Sequence, residues 1–169
     1  IQKLGENHVY FLPYLMGERS PYNNPDARAA FIGMTMDTTR EDMTQAVLEG
    51  VAFALRDSFE VAKKTGIKIE RTRICGGGAK SALWKKIIAN VLHIQVEVLQ
   101  TEEGPALGGA MLAAVACGAY ESVEAAAAKI VKVVDTVEPE AQLEDKYEQR
   151  YRQFREIYPA CKGLFDKMI

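Results

Sequence analysis

The stretch that decides the fold is residues 67–99, IKIERTRICGGGAKSALWKKIIANVLHIQVEVL. IKIERTRIC (67–75) reads as a strand running directly into GGGAKS (76–81). A helix follows, with Trp84, Ile87, Ile88, Val91 and Leu92 on one face. IQVEVL (94–99) then alternates Ile94, Val96 and Val98, as a strand does when its successive side chains point to opposite faces. Strand, glycine turn, helix and strand form one unit, and the rest of the chain is read outward from it.

Downstream, TEEGPALGGAMLAAVACGAY (101–120) predicts a helix with Pro105 in its first turn and Gly118 at its end. Gly108, Gly109, Ala110, Ala113 and Ala114 make that helix small-sided, so close packing on a sheet or backbone is expected. Residues 121–130 read as a short Ala-rich helix and VVDTV (133–137) as a strand. From Glu140 the pattern predicts one long helix, or two, with Leu143, Tyr147, Tyr151, Phe154 and Tyr158 as a core stripe. Upstream, VYFLPYL (9–15) predicts a buried strand and GERSPYNNPDAR (17–28) an irregular loop rich in turn residues. AFIGMTM (30–36) predicts a second strand. Thr38 and Glu41 have capping-box spacing. They open a helix whose apolar stripe is Met43, Ala46, Val47, Val51, Ala54, Leu55, Phe59 and Ala62, with Gly66 as its stop. Alternating β and α elements predict an α/β layered domain.

With 169 residues, one domain is expected, and 48% hydrophobic residues are enough for a core. A net charge of -2 gives no basis for binding nucleic acid or an anionic membrane. No apolar run reaches membrane-spanning length, and the first residues lack the zones of a signal peptide. Ile1 stands where a Met would start a chain, so a piece of a longer protein is expected. Cys75, Cys117 and Cys161 lack CxxC spacing and read as buried free thiols. With His8 and His93 the only histidines, no protein metal site is expected.

GGGAKS carries the chemistry. Glycines where a strand ends let backbone approach a ligand without a Cβ clash. Free N–H groups at a helix start suit phosphate, and Ser81 can cap the helix. A tight turn that binds nothing is the competing reading. The spacing is not that of a Walker A loop. It is also an incomplete GxGxxG, with Gly76 and Gly78 in the first two places and Ser81 in the third. Glu97, on the following strand, stands near where a dinucleotide fold holds its ribose, so an NAD-binding Rossmann-type domain is one alternative. Gly104, Gly108 and Gly109 form a second glycine junction that could clasp a flat ligand with the first, or serve only packing. No catalytic set emerges: Asp26, Asp37, Asp42, Asp57 and Asp135 are scattered, and Ser20, His8 and Cys75 form no triad. Glu49 and Arg56 share a face of the first long helix, where ion pairs to neighbouring elements are expected.

AAFIGMTMDTTREDMTQAVLE (29–49) resembles the second signature of the FGGY carbohydrate kinases, through Ala29, Phe31, Gly33, Met34, Asp42, Met43, Ala46, Val47, Leu48 and Glu49. FLPYLMGERSPYNNPDARAAF (11–31), ALRDSFE (54–60) and GGGAKSALWKKIIANVL (76–92) resemble the xylulokinase branch of that family, and EEGPALGGAMLAAVACG (102–118) its second glycine junction. The resemblance implies an actin-like ATPase, RNase H-like α/β fold, with residues 1–169 as part of the C-terminal, nucleotide-binding lobe. It implies ATP with Mg²⁺ as cofactors of the full-length enzyme, and phosphorylation of a sugar hydroxyl. Xylulose is the first expectation; glycerol, gluconate and ribulose are alternatives. It assigns nucleotide contacts to Gly77, Gly78, Ala79 and Ser81, and places Ala82 where some relatives carry an Asn. It assigns Gly104 and Gly108 to packing near the purine. The catalytic Asp, most sugar contacts and the first strands of the lobe have no counterpart here. No catalytic or metal-binding residue is therefore expected in this chain, and none of the activity in the chain alone. ATP or ADP, the sugar through the missing lobe, and a second copy in a homodimer are the expected partners, in the cytoplasm. A non-catalytic actin-like nucleotide- or partner-binding module is the other alternative.

Overall fold

The computed structural model describes residues 3–101 and 104–168. In chain order these form β1 (Tyr10–Leu12), β2 (Ala30–Ile32), α1 (Arg40–Lys64), β3 (Arg71–Ile74), a 3-10 turn (Gly77–Lys80), α2 (Ala82–Leu92), β4 (Gln95–Leu99), α3 (Gly104–Ala116), α4 (Val123–Ile130), β5 (Val133–Val137) and α5 (Ala141–Phe165). Among the described residues no helix is long and apolar enough to cross a membrane.

The strands form two sheets. β1 and β2 pair antiparallel, with Phe11 opposite Phe31. β4 lies between β3, to which it is parallel, and β5, to which it is antiparallel. The parallel pair carries Thr72 against Val96 and Ile74 against Val98. The connection between them is the glycine turn and α2, the crossover that parallel neighbours require.

α1 starts one residue later than the sequence suggests. Its capping box is Thr39 with Asp42: the Asp42 N–H donates to the Thr39 hydroxyl, and the Thr39 N–H donates to the Asp42 carboxylate. Thr38 is engaged elsewhere, because its hydroxyl accepts the Thr35 N–H at 2.8 Å and bonds the His8 ring. The buried face is also rotated from the expected apolar stripe. It comprises Gln45, Ala46, Glu49, Gly50, Ala52, Phe53, Arg56 and Asp57, while Leu55 is exposed. Polar groups tolerate burial when they are hydrogen-bonded, and α5 supplies most of the partners here. Glu49 accepts from Arg150 at 2.8 Å, Tyr147 at 3.1 Å and Gln45 at 2.7 Å. Asp57 accepts from Tyr151 at 2.7 Å, and Arg56 pairs with Glu148 at 2.5 Å. Glu49 and Arg56 therefore both pair with a neighbouring helix, as their shared face implies.

Gly50 lets α1 lie directly on β1. A Cβ at that position would come within 2.1 Å of the Phe11 carbonyl oxygen, and only glycine removes that contact. The main core is closed by Leu12, Phe53, Ile87, Val91, Val96, Tyr147, Tyr151 and Phe154. The predicted aromatic stripe of α5 is thus buried along one continuous helix, although Pro159 lies inside it. α3 departs from expectation. It buries no residue, its side chains are almost all apolar, and Leu112 is 60% exposed. Gly108 and Gly109 have nothing within 4 Å of where a Cβ would stand, so the expected close packing is missing at those two positions, and the helix that α3 meets is α4. The cysteines follow suit. Cys75 and Cys117 are exposed and Cys161 is partly buried, all as free thiols. Cys75 stands just past the end of β3 and Cys117 just past the end of α3, beyond the reach of the core.

Candidate functional site

The turn after β3 is built from local constraints. Gly76 has φ +81° and ψ -175°, a conformation that L side chains rarely adopt. The next residues close a 3-10 turn, with the Ala79 N–H donating to Gly76 O at 3.0 Å and the Ser81 N–H to Gly78 O at 3.1 Å. Ser81 then caps α2: its hydroxyl accepts the Trp84 N–H at 3.2 Å. The N–H groups of Gly77 and Gly78 donate to no group among the described residues. Around Gly76 and Gly77 there is open space where side chains would stand. Two unpaired N–H groups and the start of α2 give the turn the properties of an anion cradle.

β3 and β4 are parallel neighbours, so the segments that follow them leave from the same edge of the sheet. This brings the two glycine junctions together. The Cys75 Sγ lies 2.6 Å from where a Cβ on Gly104 would be. Gly104, the first residue of α3, thus sits beside the residue that enters the GGGAKS turn. Gly77, Gly78, Ala79, Ser81 and Ala82 lie between the start of the 3-10 turn and the first residue of α2. Gly108 lies one helical turn further along α3 and touches nothing that would fix its role. Glu102 and Glu103, between β4 and α3, lie outside the described residues.

Glu97 is buried in the middle of β4, where Arg73 Nε donates to it at 2.9 Å and Arg71 at 3.2 Å. The hydrogen bond from Arg73 holds its carboxyl below the usual carboxylate range. With both oxygens engaged, Glu97 is not free to hold a ribose, and the antiparallel β5 beside it departs from an all-parallel dinucleotide sheet. Among the described residues no three His, Cys, Asp or Glu side chains converge as metal ligands. Surface hollows open elsewhere, as between Gly5–Tyr10 and α5 (about 460 Å³) and between the 13–20 loop and α1 (about 380 Å³). Both hollows lie apart from the glycine turn, which has open space beside Gly76 and Gly77.

Sequence reasoning did not anticipate the part of Trp84. It appears there only as one of the apolar residues on α2, yet a Cβ placed on Gly78 would stand 3.5 Å from its indole Nε1. The signal was its spacing three residues after the cap, which places it beneath the turn it follows.

The fold and this turn define a class: an α/β lobe that presents a glycine-rich strand-to-helix turn at the open edge of a mixed sheet. Residues 2–117 match the C-terminal domain of the FGGY family of carbohydrate kinases. The chain belongs to that family. It is 36% identical over 162 residues to the xylulose kinase of Staphylococcus epidermidis, covering 96% of this chain and 33% of that protein. Its structure is similar to a xyloylose kinase from Brucella ovis (TM-score 0.86, 35% identity, 97% of this chain and 34% of that one). It is also similar to a gluconate kinase from Lactobacillus acidophilus (TM-score 0.88, 25% identity, 99% and 34%). The chain thus spans about a third of the length of the relatives it matches.

Proposed function

We propose that this chain is the nucleotide-holding part of an ATP-dependent sugar kinase with xylulose as the acceptor, and that the activity belongs to a longer polypeptide. The observation that carries the reading is the Gly76–Ser81 turn, with the Gly77 and Gly78 N–H groups unpaired among the described residues and Gly104 drawn beside it. In this reading Gly77, Gly78, Ala79 and Ser81 hold the phosphate and adenosine end of ATP, and Gly104 and Gly108 lie near the purine. Ala82 adds only its methyl group and backbone. Mg²⁺ would travel with the ATP phosphates and neutralise charge there; this chain offers it no carboxylate cluster among the described residues. The remainder of the protein is taken to cover α3, whose all-apolar, unburied surface is what a lobe interface would use, and to bring the catalytic base and sugar contacts. Phosphoryl transfer rests on positioning both reactants, so the chain alone is expected to be inactive.

The test is ADP release by the full-length protein, compared across D-xylulose, D-ribulose, gluconate and glycerol. A kcat/KM for xylulose at least about tenfold above the others, equal to about 1.4 kcal/mol of transition-state preference, supports the assignment. ADP release that favours another acceptor removes xylulose while keeping the kinase. No ADP release with any sugar, in a protein that still binds ADP, favours the non-catalytic nucleotide-binding reading.

A further inference from the structure

The hollow of about 460 Å³ between the Gly5–Tyr10 segment and α5 shares no lining residue with the glycine turn. α5 lines it with Lys146, Gln149, Arg150 and Gln153, which recur at spacings of three and four and so form one stripe of the helix. Gly5 brings the segment up to that stripe: its φ is +75°, and an added Cβ would stand 2.8 Å from the Lys146 Cβ. Both ends of the stripe are tied across to the segment. Lys146 Nζ pairs with Glu6, and the Tyr10 hydroxyl donates to Gln153. Lys146 and Gln153 stand about two helical turns, or 10 Å, apart along the axis. Between them Gln149 is exposed and has no partner among the described residues. Arg150 is the buried member of the stripe, 5% exposed. Its Nη2 donates to both Glu49 and the Val9 carbonyl, and its guanidinium lies 4.3 Å from the centre of the Tyr10 ring. Its Nε is buried with no partner among the described residues.

We propose that this hollow is a binding site for an uncharged polyhydroxylated molecule, a sugar or a polyol. The charges around it are already matched, Glu6 by Lys146 and Arg150 by Glu49. The His8 ring, also at the hollow, is engaged with the Thr38 hydroxyl at 3.0 Å. An anion would therefore find no surplus cation, and an apolar ligand would leave the polar lining unpaired. The capacity that remains is mixed. The Gln149 amide offers donors and an acceptor, Lys146 and Glu6 can each bond beyond their mutual pair, and Arg150 Nε needs an acceptor. A hydroxyl both donates and accepts, so a run of adjacent hydroxyls meets such a lining where a ligand of donors alone or acceptors alone does not. A buried donor without an acceptor costs about 1–3 kcal/mol, and a hydroxyl oxygen that reaches the Arg150 guanidinium relieves that cost on binding. The volume falls within the range of small-molecule sites, about 300–1,000 Å³. None of these groups belongs to the glycine turn, so the site is independent of what that turn holds.

The experiment uses the full-length protein without nucleotide, labelled with 3-fluorotyrosine, and xylitol as the probe. The Tyr10 ¹⁹F resonance, identified by its loss in Tyr10→Phe, is expected to shift with xylitol and to saturate at a millimolar Kd. Inorganic phosphate over the same concentrations is expected to leave it unmoved. Gln149→Leu alters an exposed side chain with no partner among the described residues, so its urea midpoint is expected to match the wild type. The same variant is expected to raise the Kd read at Tyr10 about tenfold. A Tyr10 resonance that stays still, or that moves in proportion to xylitol and never saturates, leaves the hollow to water and overturns the proposal. A saturating shift with phosphate overturns the uncharged class of ligand. An unchanged Kd in Gln149→Leu overturns the placement in this hollow. Should Tyr10→Phe fail to fold, calorimetry decides: the wild type is expected to hold xylitol about tenfold more tightly at one site than Gln149→Leu does, and identical isotherms overturn the proposal.

Discussion

Replacing Glu49 by Ala tests the contact that joins the two long helices. Glu49 is fully buried and holds Arg150, Tyr147 and Gln45 at 2.8, 3.1 and 2.7 Å. Arg150 is almost as deeply buried and keeps only the Val9 carbonyl at 3.1 Å and the faces of Tyr10 and Phe53 once the carboxylate is gone. Removing one partner of such a pair leaves an uncompensated charge in the interior, which costs about 3–5 kcal/mol. Against a total stability of about 5–15 kcal/mol, that is a large share, and in a domain of this size it lowers Tm by about 6–20 °C. The assay is urea unfolding followed by far-UV circular dichroism, comparing midpoints at constant slope. The double replacement Glu49→Leu with Arg150→Met removes both charges and is expected to recover most of the loss, because a buried pair replaced by apolar groups of similar volume is close to neutral. A loss below about 1 kcal/mol for Glu49→Ala would mean that the pair behaves as a solvated one, and would refute the claim that it fastens α1 to α5.

Gly50→Ala should destabilise by about 1–3 kcal/mol in the same assay, despite alanine's better helix propensity, because its methyl meets the Phe11 carbonyl; a stabilised variant would contradict the close approach of α1 and β1. Gly104→Ala should weaken ADP binding through the Cys75 sulfur beside it, and Cys75→Ala in the same protein should restore it; an unrestored double variant would place the defect elsewhere. Asp57 provides a pH test. Burial pushes its carboxyl up from 3.8, and one of its oxygens has no partner, so the folded state keeps a proton that the unfolded chain has released. Stability contributed by that proton is complete below 3.8 and lost as pH rises through the folded value. The urea midpoint of the wild type should therefore fall relative to Asp57→Asn as pH rises from about 4; a difference that does not change with pH would show that Asp57 titrates normally.

The element order was legible because each element has a local cause. The strand at 94–99 alternates, the α5 aromatics recur every three or four residues, and Gly66 and Gly118 take the positive φ that ends a helix. The GGGAKS turn was legible for the same reason, since its glycines and cap lie within six consecutive residues. The buried face of α1 was not. A hydropathy stripe points to Val51 and Leu55, while the interior received Gln45, Glu49 and Asp57, and α5 supplies partners to Glu49 and Asp57 from 101 and 94 residues away.

The sequence by itself determined the strand–turn–helix unit, the cap at Ser81 and the kinship with carbohydrate kinases, because these depend on residue types at short fixed spacings. Only the tertiary structure decided that β3 and β4 run parallel side by side. That pairing carries Gly104 to Cys75 and brings two separate glycine junctions side by side. It also decided that Trp84 stands near Gly78 and that α3 buries none of its residues. Strand pairing and side-chain contact are settled by the packing of segments remote in sequence, and no local pattern records which partner a surface will find.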